Sequence, residues 1–213
     1  MISKEELIHY YLVQKLSALR IGGIFNCSPN KINYWLSKYG IQKRSISEAI
    51  YTLNNPLGDP FKNSELLTTH DYFLLGLGLG LYWGEGNKRN KNGVRLGNSD
   101  PALIRSFMIF LERIYGVSKK DFSFGLQIFN TCDGEKTVTF WKKHLDVEDN
   151  KFYKTMIKEK RGKGTYNHIV EHGVLTIYFN NTKLRNILVN NIDTLRKIDI
   201  MSSDLIDQLN KPV

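Results

Sequence analysis

Cysteine is scarce in this 213-residue chain: only Cys27 and Cys132 occur, in different regions. Two isolated thiols exclude a disulfide framework and read as reduced, intracellular cysteines. Long hydrophobic runs are missing too. The most apolar stretch holds roughly twelve residues before Glu85, short of the about 20 that a transmembrane helix needs. The opening MISKEELIHYY is acidic and amphipathic, unlike a signal peptide. No basic amphipathic helix or lipidation signal is seen, so no membrane partner is expected. Acid is also in short supply, with 21 Asp and Glu against 30 Lys and Arg, a formal net charge of +9. That excess points to a polyanion, nucleic acid before membrane. The expected location is cytoplasmic, associated with the nucleoid. A hydrophobic content of 41% supports real cores, with room for one full domain and a small one.

Glycine, by contrast, is concentrated. Leu74 to Gly86 read LLGLGLGLYWGEG, an apolar helical stripe with four interior glycines. Each costs a helix roughly 1 kcal/mol relative to alanine, so Gly76, Gly78, Gly80 and Gly84 together ask for about 3–4 kcal/mol from packing. Gly76, Gly80 and Gly84 stand at i, i+4 and i+8 and line one face, which lets another helix approach backbone-close. Glu85 falls in the last turn, where the macrodipole and the orphan carbonyls are already negative. Gly86 is expected to supply a left-handed cap. A disfavoured carboxylate beside exposed carbonyl oxygens, including that of Gly84, is a seat for a hard divalent cation. Other glycine motifs fail on spacing. GxGxxG would need glycine where Leu81 and Trp83 stand, and a Walker loop would need Gly-Lys-Ser/Thr where Gly86-Asn87-Lys88 stand.

Residues 1 to 44 read as a helix-turn-helix. A first helix spans Ser3 to Gln14, with Leu7, Tyr10, Tyr11 and Leu12 as packing candidates. Ser17 caps a second helix, Ala18 to Phe25, with Leu19, Ile21 and Ile24 inward. After a turn at Asn26-Cys27, Ser28 and Pro29 start a third helix that stops at Gly40, with Ile32, Trp35 and Leu36 at core spacing. Its outward residues are Asn30, Lys31, Asn33, Tyr34 and Lys38, amides and lysines suited to base edges and phosphates in a major groove. The segment resembles the short helix-turn-helix of resolvases and many regulators. Residues 45 to 70 hold a short helix, Ser47 to Leu53, and a Pro-, Gly- and Asn-rich linker.

After Gly86 the pattern continues with a basic turn, NKRNKN, holding Lys88 and Arg89. A strand covers Val94 to Asn98, and Asp100-Pro101 start a helix that ends at Gly116. A strand over Phe122 to Phe129 places Ser123, Gly125 and Gln127 on one face. A helix over Lys136 to Leu145 follows, then strands Phe152 to Glu159 and Val174 to Phe179 and a helix Thr182 to Arg196.

Gly80-Leu81-Tyr82-Trp83-Gly84-Glu85-Gly86 resembles the signature helix of the LAGLIDADG homing endonucleases, standing over GLIDADG with Glu85 in place of the metal-binding aspartate. The likeness covers about residues 71 to 198. It implies an α+β chain: a small all-α helix-turn-helix domain (1–44), a short helix and linker (45–70), and an αββαββα saddle domain (71–213). It further implies a homodimer packed through Gly76, Gly80 and Gly84, and Mg²⁺ or Mn²⁺ held at Glu85 and Gly84. The implied activity is site-specific cleavage of a roughly palindromic double-stranded DNA. In such a saddle the polar concave face lies on DNA, which makes Arg95, Gln127, Lys154 and Lys158 and the loop Lys160, Arg161 and Lys163 contact candidates. Gln127, Lys154 and Lys158 are also candidates for arranging solvent at the scissile phosphate. A second reading stays open, a non-cleaving helix-turn-helix regulator whose LAGLIDADG domain kept only binding. His168-Ile169-Val170-Glu171-His172 also fits the inverted zinc-protease pattern, but it sits in a short segment between Gly164 and Gly173 with no useful helix, so a hairpin loop is expected there.

Overall fold

The computed structural model describes residues 2–62, 68–148, 151–159 and 171–197. The chain divides into two compact units, Met1–Pro60 and Phe61–Val213. It is mixed α+β, and among the described residues no helix is long and apolar enough to cross a membrane.

The first unit is all-helical. Ser3 closes a capping box with Glu6 at the start of α1 (Lys4–Leu7), which continues as a π-helical stretch, Ile8–Val13. The wider winding shows in the Gln14 N–H, which donates to the His9 carbonyl five residues back, at 2.8 Å. Helix α2 (Ala18–Ile24) starts at Ser17, and α3 (Pro29–Lys38) at Ser28 with Pro29 in its first turn. The turn between them is tight because Gly22 has no side chain: a Cβ there would lie 2.5 Å from the Cys27 carbonyl oxygen. Two helices joined by a four-residue turn make the expected helix-turn-helix. Helix α3 ends in a Schellman motif. Gly40, at φ 67°, donates to Ser37, and Ile41 donates to Leu36. Leu7, Tyr11, Ile21, Ile32, Leu36 and Ile41 form the core, with Tyr10 and Trp35 against it. Three expected inward residues are corrected. Leu12, Leu19 and Ile24 are 50%, 70% and 50% exposed. The buried side of α2 is set by Ile21 and Gly22 with Ala18 and Phe25 beside them, a 3.6-residue stripe that excludes positions 19 and 24. Helix α4 (Ile46–Asn54) has its own capping box, Ser45 with Glu48.

The second unit lays helices on one face of a four-stranded sheet. Its elements are α5 (Thr69–Glu85), β1 (Val94–Asn98), α6 (Pro101–Tyr115), β2 (Ser123–Phe129), α7 (Gly134–Leu145), β3 (Met156–Lys158), β4 (Val174–Phe179) and α8 (Thr182–Lys197). The sheet order is β1-β4-β2-β3, antiparallel except for the parallel β2–β3 pair. Leu96, Phe124, Leu126, Leu175 and Ile177 face a core shared with Leu79, Tyr82, Phe107, Phe110, Trp141 and Leu188. Asp100 and Pro101 start α6 and a left-handed Gly116 ends it, as the sequence predicts.

The element order differs from αββαββα. A full helix, α6, stands between the first two strands, and α7 stands between the second and third. The single strand expected over Val94–Asn98 is found as β1, and Gly86 adds one bridge to its Leu96, with the Asn87 N–H donating to the Arg95 carbonyl. The strand expected over Phe152–Glu159 is shorter. Phe152 makes an isolated bridge to Phe124, and only Met156–Lys158 pair regularly, all exposed at the sheet edge.

Candidate DNA interface and acidic helix end

Helix α5 is anchored at its start and bare along one side. Thr68 and Asp71 form a capping box, and Asp71, buried, is gripped by Arg113 of α6 at 2.5 Å. That guanidinium, then the Thr68 backbone and side chain, hold the Asp71 carboxyl far below its ordinary range. Of the four glycines, Gly78 alone faces the core. A Cβ on it would meet the Phe110 ring at 2.1 Å. Gly76, Gly80 and Gly84 have nothing within 4 Å of such an atom. They lie on the exposed side with Phe73 and Leu77, which are 68% and 38% exposed. The spacing read from the sequence therefore separates one core glycine from a three-glycine open face.

At the other end, the left-handed cap expected of Gly86 is not found. Gly86 is extended, at φ −70° and ψ 143°. Glycine is required there for room: a Cβ would lie 2.2 Å from the Tyr82 ring and 2.4 Å from its carbonyl oxygen. The chain leaves the helix straight into the sheet edge, so Glu85 ends α5 beside β1.

The Glu85 side chain is exposed. The helix end is occupied by another group. Lys88 Nζ donates to the Trp83 carbonyl at 2.5 Å and to that of Tyr82 at 3.4 Å. Lys88, expected to contact DNA, thus has its ammonium on α5, where a cation satisfies the free Trp83 carbonyl and interacts favourably with the dipole; the Tyr82 carbonyl also accepts from the Gly86 N–H. Its loop is pinned from α8, because Arg185 donates to the Lys88 carbonyl and, at 3.0 Å, to the Asn90 carbonyl. Arg196 lies over the Trp83 ring, 5.4 Å from its centroid. The signal for Lys88 was present in the sequence, a lysine within one turn past a helix end. Arg185 and Arg196 carried no local signal.

As a seat for a divalent ion, the donor chemistry fits in part. A carboxylate beside helix-end oxygens suits a hard cation. No group of three or more His, Cys, Asp or Glu side chains placed to hold a metal occurs among the described residues. One chain supplies one acid to this point, and a two-carboxylate site needs a second copy.

The uncovered face of the sheet gathers three of the other candidates, Arg95, Gln127 and Lys158. Register places Arg95 opposite Tyr178, Tyr178 opposite Ser123, Thr176 between Gly97 and Gly125, Gln127 opposite Met156, and Phe129 opposite Lys158. Arg95, Gln127 and Lys158 thus share one side. The Tyr178 ring lies across Gly125, 3.0 Å from where a Cβ would sit. Arg95 stands over that ring at 5.2 Å, and Tyr153 meets its edge at 5.5 Å. The Arg95 Nε is buried without a hydrogen-bond partner among the described residues. Lys154 is exposed in the segment before β3, outside the ladder. Arg89 is exposed in the turn after α5. Lys160, Arg161 and Lys163 lie outside the described residues, as does His168. His172 sits in a turn, its ring stacked on Phe140 at 3.5 Å and its carbonyl accepting from Trp141.

On α3, Asn30, Lys31, Tyr34 and Lys38 are exposed and Asn33 is half-buried. Lys38 lies 4.7 Å from the Trp35 ring centroid, and Trp35 stacks on Tyr39. The polar start of α3 stands free of the unit's core, on the side opposite Ile32 and Leu36.

Comparison with protein-family models, with curated proteins and with solved structures gave no match in any of the three.

Proposed function

We propose that the protein is a homodimeric, divalent-metal-dependent, site-specific endonuclease of double-stranded DNA. The observation that carries this reading is α5: an anchored helix whose open face is glycine and apolar, ending in an exposed acid. A bare glycine face asks for a second helix at backbone distance, and a copy of itself is the self-complementary choice. The two-fold axis then brings Glu85 of both copies together beside the Gly84 carbonyls. Mg²⁺ or Mn²⁺ held there would activate water and stabilise the leaving oxygen.

The remaining roles fall to the chain's own groups. Arg95 and Lys158 bind phosphate oxygens from the open sheet face. Gln127, between them, holds water or a base edge. Asn30, Lys31, Asn33 and Tyr34 on α3 bind a neighbouring stretch of DNA. A tethered second module raises apparent affinity through effective concentration.

Incubating full-length protein with DNA from around its own gene tests this, with Mg²⁺ and with EDTA. Wild type is expected to nick or cut only with Mg²⁺, and Glu85→Gln to bind without cutting. Failure of wild type to cut any such DNA under Mg²⁺ or Mn²⁺ would overturn the nuclease reading.

One observation favours the second reading, a non-cleaving DNA-binding regulator. The Lys88 ammonium occupies two carbonyls at the end of α5, as suits a domain that keeps its helix end neutralised and binds DNA without a metal. Tight, EDTA-resistant binding with no cleavage would establish it.

A further inference from the structure

We infer that Tyr178 is a positioning residue of the open sheet face, its ring holding the Arg95 guanidinium in one orientation for a DNA phosphate; this rests on the reading of that face as a DNA-binding surface. Arg95 and Tyr178 are direct partners on the antiparallel β1–β4 pair, so both side chains leave the sheet on the same side. The guanidinium carbon lies 5.2 Å from the centroid of the Tyr178 ring. The Arg95 Nε is buried, and among the described residues no hydrogen bond or ion pair fixes this side chain. The ring contact is thus the restraint that the described residues supply. The ring is itself supported from two sides. Gly125 of β2 leaves the space it fills, since a Cβ there would stand 3.0 Å from the ring. Tyr153 meets its edge at 5.5 Å, and the Tyr153 N–H is tied to the Phe124 carbonyl of β2 at 2.8 Å. Strand β4 lies between β1 and β2, so Tyr178 stands on a strand paired along both edges.

The consequence is pre-organisation. A mobile arginine loses rotamer freedom when it grips a phosphate, whereas a stacked planar guanidinium has lost much of it beforehand. A carboxylate partner would fix the side chain equally well but would compete with the phosphate for its charge. The face of an aromatic ring attracts the cation and leaves its positive charge uncompensated. Tyr178 therefore acts through Arg95, and a lysine at position 95 would keep the charge without the planar stack.

The test is a double-mutant cycle on full-length protein, read by the anisotropy of a fluorescein-labelled, mixed-sequence DNA duplex at low salt. The α3 module is the same in every variant, so differences report the sheet face. Arg95→Ala is expected to weaken binding about tenfold and to lower the salt slope by about one phosphate's worth. Tyr178→Leu keeps an apolar side chain but no π face, and should weaken binding about threefold to fivefold. Tyr178→Phe keeps the ring and should stay near wild type. In the Arg95→Ala background Tyr178→Leu should cost nothing further, a result that general damage to the sheet would not give. If Tyr178→Leu melts early in circular dichroism, Arg95→Lys carries the test, with an expected loss of about threefold despite its unchanged charge. Wild-type affinity in Tyr178→Leu and Arg95→Lys, or a Tyr178→Leu loss that recurs in full on Arg95→Ala, overturns the inference while the Arg95→Ala loss leaves the sheet-face reading standing. Wild-type affinity and salt slope in both Arg95→Ala and Lys158→Ala overturn the two together.

Discussion

Helices α3 and α5 both keep one face uncovered and both are followed by a glycine, yet the two are built for different partners. The open side of α3 carries Asn30, Lys31, Tyr34 and Lys38, groups that water satisfies until a polyanion replaces it. The open side of α5 carries Phe73, Gly76, Leu77, Gly80 and Gly84, which water satisfies poorly and a second helix satisfies well. Gly40 after α3 takes the left-handed conformation, whereas Gly86 after α5 is extended and small because Tyr82 fills the space. A polar open face calls for a nucleic acid or solvent, and a bare one calls for protein.

The largest expected effect separates the two sides of α5 itself. Gly78→Leu drives a side chain into the Phe110 ring and should cost about 3 kcal/mol or more by overpacking, measured by chemical denaturation. A wild-type midpoint for that variant would break the comparison. Gly80→Ala meets nothing within its own chain. In a dilute, monomeric sample it should therefore gain up to about 1 kcal/mol of helix propensity. At high concentration it should lose the extra stability that dimerisation confers on wild type, so the two melting curves cross as concentration rises.

The helices also differ in how they start. Neutral Ser28 caps α3, whereas Asp71 at α5 depends on its charge and on Arg113. The folded-state Asp71 carboxyl titrates far below its ordinary value. Its contribution is thus fully present above about pH 4 and is lost as pH falls through the acid range. Acid should therefore loosen the second unit before the first, with Trp83 and Trp141 fluorescence changing ahead of Trp35. Asp71→Asn should remove that difference. Simultaneous change of all three tryptophans in the wild type would contradict it.

The smallest effects belong to α3. Lys31→Ala should lower the slope of log affinity against log salt by about one phosphate's worth. Asn33→Ala should instead relax preference at one base position, by roughly 1–3 kcal/mol of discrimination. Filter binding over a salt series, with cognate and altered DNA, distinguishes the two.

Local chemistry was legible in the sequence wherever a few neighbouring residues decide the outcome. Ser28-Pro29, Asp100-Pro101, Gly40 and Gly116 start and stop helices where expected, because caps act within one turn. The alternation of Ser123, Gly125 and Gln127 gave the exposed side of β2 for the same reason. The π winding after Leu7 was hidden, since no breaker residue within Ile8–Val13 marks it. The parallel pairing of β3 was hidden as well, because pairing partners are set by tertiary contact. The Gly86 conformation was misread for a physical reason: glycine after a helix serves either a positive φ or a close approach, and only the Tyr82 ring decides between them. At the site, Glu85 and the glycine face were readable, while Arg185 reaches the Lys88 loop across about a hundred residues of chain.

Sedimentation of wild type and Gly80→Leu at matched micromolar concentrations tests the central claim most directly. A Cβ there meets nothing within 4 Å in its own chain, and the variant is expected to stay folded. The account predicts twice the 24.6 kDa chain mass for wild type and the single-chain mass for Gly80→Leu. A monomeric wild type, or a Gly80→Leu variant that dimerises as well as wild type, would contradict it.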